Sequence, residues 1–238
     1  MKAILLVVSL VLALTAGAWA ETSYTYQMVA STNDWSVPIS GTDIINGMTG
    51  VITAGGFHPV TSGSTLAEKE QWLTDGQLGT NLQAILADFS TPALQISYMF
   101  PEQKVGEIRS FAANSGKDGR VFQDFDVDVF VAGDWYPLIQ NVTTGSFYQS
   151  NKGKWEGSLI RIYEKGGAGL LEDTPISGVR FTYYMVDNGQ DWFLPRGEGG
   201  LNTSSVIREI DVTKVPEPAS FLALAAGMVG ILLRRRSK

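Results

Sequence analysis

The stretch Leu73-Thr74-Asp75-Gly76-Gln77-Leu78-Gly79-Thr80 gathers oxygen donors around two glycines. Calcium takes six to eight oxygen ligands at about 2.3–2.6 Å, many of them backbone carbonyls. A glycine-rich turn can fold its carbonyls inward around an ion at low steric cost. Asp75 would give a carboxylate, Gln77 a carbonyl, and Thr80 a hydroxyl or a carbonyl. The segment is therefore a candidate structural calcium site. The same residues also suit an ordinary Asp-Gly turn that holds nothing.

A second stretch, DNGQDWFLPRGEGG at 187–200, is long, glycine-rich and mixed in chemistry. Sugars offer C–H faces and hydroxyls, so a site for them needs an aromatic ring beside polar groups. Asp191, Trp192 and Arg196 are the candidate ligand-binding residues, with Glu198 close by in sequence. Loops of this kind commonly carry function on a β scaffold. Trp35, Trp135 and Trp155 are further aromatic candidates, although large aromatics usually pack in cores.

Other chemistry is narrowly bounded. The chain of 238 residues has no cysteine and one histidine, His58. Thiol catalysis and cysteine zinc sites are excluded, and a Ser-His-Asp triad would have to pass through His58, which reads as a loop residue between Gly56 and Pro59. Paired carboxylates could hydrolyse glycosides, but no signature selects a pair, so no catalytic residue is assigned and the expectation is a protein that is not an enzyme. The net charge is −6, and setting aside the five cations of the two termini and Glu217 leaves a body near −10. An acidic body argues against nucleic acid, whose binding needs cations to neutralise phosphates. The Asn-x-Ser/Thr triplets at Asn141 and Asn202 read as chance.

These residues must be positioned by β structure. Runs rich in Val, Ile, Phe, Tyr and Thr alternate with Gly, Asn, Asp and Ser. Strands are expected at 24–30, 93–100, 107–113, 123–132, 135–140, 158–163, 177–186 and 205–212. In QDFDVDVFVAG the period is two: Phe125, Val127, Val129 and Val131 share one face, and Asp124, Asp126 and Asp128 share the other. The expectation is a half-buried strand with a solvated acidic face. STLAEKEQWL, 64–73, reads as a helix capped by Ser64, and Asn81–Leu86 as a second short helix. Many strands with few helices predict an all-β fold, a single jelly-roll or β-sandwich domain over 21–214.

The order of three segments resembles the galactose-binding-like, discoidin-type β-sandwich: the turn at 73–80, the strand pair LQISYMFPEQKVGEIRSFA at 94–112, and the closing SVIREIDV at 205–212. In that family a glutamate from the last strand completes the ion site, and Glu209 occupies the matching place. The resemblance therefore implies a metal set of Asp75, Gln77, Thr80 and Glu209, with calcium clipping the two ends of the sandwich together.

The termini describe export. MKAILLVVSLVLALTAGAWA has a cation at Lys2, an apolar stretch, and small residues ending in Ala18-Trp19-Ala20, the layout of a signal peptide spanning 1–20. At the other end, Pro216-Glu217-Pro218 precedes an uncharged run over 219–233 that stops at Arg234-Arg235-Arg236. As a helix that run spans roughly 22 Å against a hydrocarbon core of about 30 Å, enough for a marginal anchor with snorkelling arginines. The arginines would lie on the cytoplasmic side and the body outside.

Val215, Pro216, Glu217, Pro218 and the arginines 234–236, in that order, resemble the PEP-CTERM sorting signal of Gram-negative bacteria, here spanning 215–238. The resemblance implies an exosortase partner in the inner membrane, cleavage near the motif, and delivery to the cell surface or exopolysaccharide. The functional expectation is an exported, surface- or matrix-associated protein whose β-sandwich binds carbohydrate. The alternatives are a structural matrix protein with no small ligand and a polysaccharide-acting hydrolase.

Overall fold

The computed structural model describes residues 22–34, 41–58, 65–78, 85–87, 92–114, 120–144, 155–164, 171, 173–186 and 205–215. Among these residues nine strands form: β1 (Thr22–Val29), β2 (Val51–Gly55), β3 (Leu94–Gln103), β4 (Val105–Ala113), β5 (Asp124–Val131), β6 (Asp134–Thr143), β7 (Gly157–Glu164), β8 (Ile176–Tyr183) and β9 (Ile207–Lys214). They build two antiparallel sheets, ordered β1-β7-β4-β9 and β2-β3-β8-β5-β6. The fold is the expected β-sandwich.

The period-two reading of β5 holds on its apolar side. Phe125, Val127 and Val129 are fully buried, and against them pack Val179, Phe181 and Tyr183 of β8 and Ile108, Ile160, Ile162, Ile210 and Val212 of the facing sheet. Phe125 meets Tyr183 with ring centroids 5.0 Å apart and Phe181 at 6.1 Å. Burying each such side chain contributes roughly 1.5–3 kcal/mol. A polar seam crosses this core. Ser110 Oγ donates to Gln123 Oε1 at 2.5 Å and lies 2.8 Å from the Tyr183 hydroxyl, while Gln123 Nε2 donates to Ser158 Oγ at 2.8 Å. Buried hydroxyls and amides are retained here because they satisfy one another.

The acidic side of β5 corrects the expectation of a solvated face. Asp126 is buried, its carboxylate accepting from the main-chain N–H of Asn141 at 2.7 Å and from the Tyr184 hydroxyl at 2.9 Å. Asp128 pairs with Arg180 at 2.8 Å. Asn141 takes a left-handed φ of 58°, where Asn is tolerated, and this turns its N–H towards Asp126.

Three further differences from the sequence reading have local causes. The helix, α1, is shorter, Leu66–Gln71, and its cap is Thr65: Thr65 Oγ1 accepts from Glu68 N and the Glu68 carboxylate accepts from Thr65 N, a capping box. Ser64 lies outside the described residues. Ile85 and Leu86, read as helical, instead make β-bridges to Val206 and Phe57. β2 escaped the pattern because VITAG is short and ends in alanine and glycine; among the described strands it lies at a sheet edge beside β3.

β9 also ends its sheet, yet seven of its eight residues are buried. Its outer edge is occupied by loops. Ile44 N donates to Val212 O at 2.7 Å, Val212 N to Asp43 Oδ1 at 2.7 Å, and Ile210 N to Leu73 O at 2.7 Å. An edge strand is thereby covered rather than left as a template for another chain.

Candidate cation site

Alternation along β9 places Ile210 and Val212 in the core and Glu209 and Asp211 on the opposite side of the sheet. Both carboxylates are nonetheless 0% exposed. The loop carrying Asp43 and the turn that follows α1 reach across them. That turn is fixed from several directions. Leu73 O accepts from β9, Gly47 N donates to Thr74 O at 2.5 Å, and Thr74 Oγ1 donates to Met48 O at 2.7 Å. Gly76 sits at φ 73°, a left-handed conformation natural to glycine. Its N–H points at Glu209 Oε1, 3.1 Å away, and Gln77 N donates to Asp75 Oδ1 at 2.9 Å.

Asp43, Glu209 and Asp211 each offer a carboxylate oxygen, and these oxygens all lie within 4.8 Å of one another. Asp75 adjoins them. Burial pushes the Glu209 carboxyl up to about 9; the Gly76 N–H opposes this, while Asp211, Asp75 and Asp43 reinforce it. Burial likewise raises Asp43 to about 7, opposed by the main-chain N–H groups it accepts from and reinforced by Asp211. Asp75 is raised by burial, offset in part by Gln77 N–H and by the neighbouring Glu209 carboxyl. Arg109 borders the cluster: its Nη1 stands 3.7 Å from Asp211 Oδ2, while Arg109 also pairs with Glu107 at 2.6 Å.

Four converging acids, two of them fully buried, are an arrangement that burial penalises strongly. Two of its oxygens, Asp43 Oδ2 and Glu209 Oε2, are buried with no hydrogen-bond partner. A set made only of oxygen donors, most of them anionic, suits a hard divalent cation such as calcium. A glycosidase pair must touch its substrate, and the buried Glu209 and Asp211 present no face to a sugar.

The expected site residues fall as follows. Asp75 and Glu209, 134 positions apart, are brought together. The Gln77 side chain is exposed, and its main-chain N–H holds the Asp75 carboxylate. Thr80, Asp191, Trp192, Arg196, Trp35 and the tail residues 216–238 lie outside the described residues. Asp43 and Asp211 were not anticipated. Asp211 had a visible signal, two acids at alternate positions of REIDV; Asp43 had none, because its loop carries no period. Trp135 does not offer a free platform: the Arg180 guanidinium lies 4.5 Å from its ring centroid and Phe130 meets it edge-on at 5.1 Å.

Fold and tail define the class, an exported β-sandwich protein with a C-terminal sorting signal. That signal is the PEP-CTERM protein-sorting motif, matched over residues 214–236. No curated protein matches the sequence significantly. Among solved structures the chain is similar to the family 32 carbohydrate-binding module of NanJ from Clostridium perfringens, solved in complex with galactose, at 14% identity and TM-score 0.38, covering 71% of this chain and 97% of that one. It is similar to a second C. perfringens module, CpGH89CBM32-5, solved with GalNAc-β-1,3-galactose, at 13% identity and TM-score 0.38, covering 69% and 95%. A two-domain protein of unknown function from Bacteroides fragilis matches at 15% identity and TM-score 0.40, covering 79% and 47%. Among the described residues no helix is long and apolar enough to cross a membrane.

Proposed function

We propose that this protein is an exported, non-catalytic β-sandwich of the cell surface or exopolysaccharide, held closed by one calcium ion and contacting polysaccharide through its loops. The observation that carries the calcium reading is the convergence of Asp43, Asp75, Glu209 and Asp211, with two buried carboxylate oxygens lacking a partner. Asp43, Glu209 and Asp211 would ligate the ion, with Asp75 beside them; the ion supplies charge neutralisation and a crosslink between the opening and closing segments of the domain.

The delivery reading rests on the sorting motif and the arginines that end it. In this scheme an exosortase processes the tail while 219–233 anchors the chain in the inner membrane with the body in the periplasm. The product then reaches the surface or matrix. The polysaccharide reading is supported by the resemblance of 73–80, 94–112 and 205–212 to galactose-binding-like sandwiches and by this destination. It is tested by retention of the purified exported protein on exopolysaccharide. Trp192→Ala should weaken retention severalfold with an unchanged melting temperature. Equal retention of the variant would leave a structural surface protein as the better reading.

A further inference from the structure

An open cleft of about 430 Å³ lies where the folded domain ends, walled by Thr42, Asp43, Pro101, Gln103 and Lys214. Lys214 is at once the last residue of β9, a wall of this cleft and the first residue of the matched sorting motif. The chain remains fastened one residue further: Val215 N donates to Lys104 O at 3.3 Å. Pro216-Glu217-Pro218 follows at once. Three residues beyond Lys214 reach at most about 11 Å, even fully extended. A folded enzyme, tens of ångströms across, therefore has no room to close on a peptide bond in that triplet without meeting the surface around the cleft.

We infer that the cleft and its rim are a docking surface for the membrane protease that cuts the sorting tail, so that the enzyme reads the folded domain as well as the motif. The inference rests on the processing reading above. The cleft's polar walls, with the Thr42 hydroxyl, the Gln103 amide and the Lys214 ammonium, suit the hydrogen-bonding loop of a protein partner. The short spacing makes β9 and the Gln103–Val105 connection the fixed frame of the encounter. No other face of the sandwich is forced towards the enzyme by chain length.

The test uses the full chain in a host carrying the matching exosortase, with the cut fraction measured by mass spectrometry of membrane and surface material. Two kinds of variant are compared. One inserts six Gly/Ser residues between Val215 and Pro216, after the end of β9. The other fills the cleft, by Thr42→Trp or Gln103→Trp, and is set beside Val51→Trp, an exposed β2 position outside the cleft. Melting temperature and export level verify that each folds. Docking predicts that the insertion and both cleft variants lower the cut fraction at least threefold, and that Val51→Trp does not. If the wild-type chain is cut and the insertion leaves cutting unchanged or raises it, or the filled clefts are cut like wild type, the inference is overturned while processing stands. A wild-type chain that stays uncut overturns both.

Discussion

Glu209 Oε1 accepts a hydrogen bond from the main-chain N–H of Gly76, 3.1 Å away and 133 residues earlier in the chain. This contact joins the turn after α1 to the last strand, and it orients a buried carboxylate towards Asp43 and Asp211. A single N–H does not offset the burial of that group, whose carboxyl is pushed up to about 9.

Calcium is therefore expected to raise the melting temperature. At a free concentration about 100 times its Kd, an ion that binds only the folded state adds about 2.7 kcal/mol. For a domain of this size that is about 5–10 °C. Glu209→Gln should abolish the rise and Asp75→Asn should reduce it, as followed by calorimetry with calcium and with chelator. An equal rise in Glu209→Gln would place the ion elsewhere.

Without the ion, stability should fall as pH rises. The folded Glu209 carboxyl titrates near 9, above its ordinary value of 4.5, and Asp43 near 7, above 3.8. Between those values the folded state holds protons that the unfolded chain has lost. The stabilisation is complete below about pH 4 and is lost as pH passes 7 and then 9, with a slope of at most about 1.4 kcal/mol per pH unit for each proton. Denaturant midpoints in chelator, from pH 5 to 9, measure this. Glu209→Gln should flatten the curve, and calcium affinity should rise with pH over the same interval because the ion displaces those protons.

Gly76→Ala should cost about 1–2 kcal/mol. The residue stands at φ 73°, where a side chain is strained, and a Cβ would come within 3.3 Å of Asn46 Oδ1. The same change should weaken calcium binding, because it moves the N–H that aims Glu209. A variant with wild-type stability and affinity would show that the turn has no part in the site.

The two faces of β5 should respond differently. Phe125→Ala removes a fully buried ring and should cost about 3–5 kcal/mol. Asp128→Asn weakens a partly buried pair with Arg180 and should cost less, about 1–2 kcal/mol. Urea unfolding of both variants distinguishes this order from the reverse, which an inward acidic face would produce.

Sequence reasoning went furthest where one local rule governs. Alternation in QDFDVDVFV placed Phe125, Val127 and Val129 in the core because one face of a half-buried strand must be apolar. Turn chemistry and a family likeness joined Asp75 to Glu209. What remained hidden depends on tertiary pairing. β2 has only five residues and ends in Ala54-Gly55, too short a run to stand out, and its place beside β3 makes it a strand. Asp43 belongs to an irregular loop whose value comes from lying along β9. Asp126 and Asp128 were read as solvated because nothing local tells that Asn141, Tyr184 and Arg180 converge on them.

The position of β9 also sets an order of events. Export through a membrane delivers a chain from its N-terminus, so the strand bearing Glu209 and Asp211 is the last part of the domain to cross, immediately ahead of the sorting tail. Until it arrives, β4 lacks its neighbour on one side and the acidic residues at 43 and 75 have nothing to converge on. The domain thus stays incomplete, and threadable, throughout passage. It closes only after β9 has crossed. Placing β9 at the end of the domain ties completion of the fold to the end of translocation.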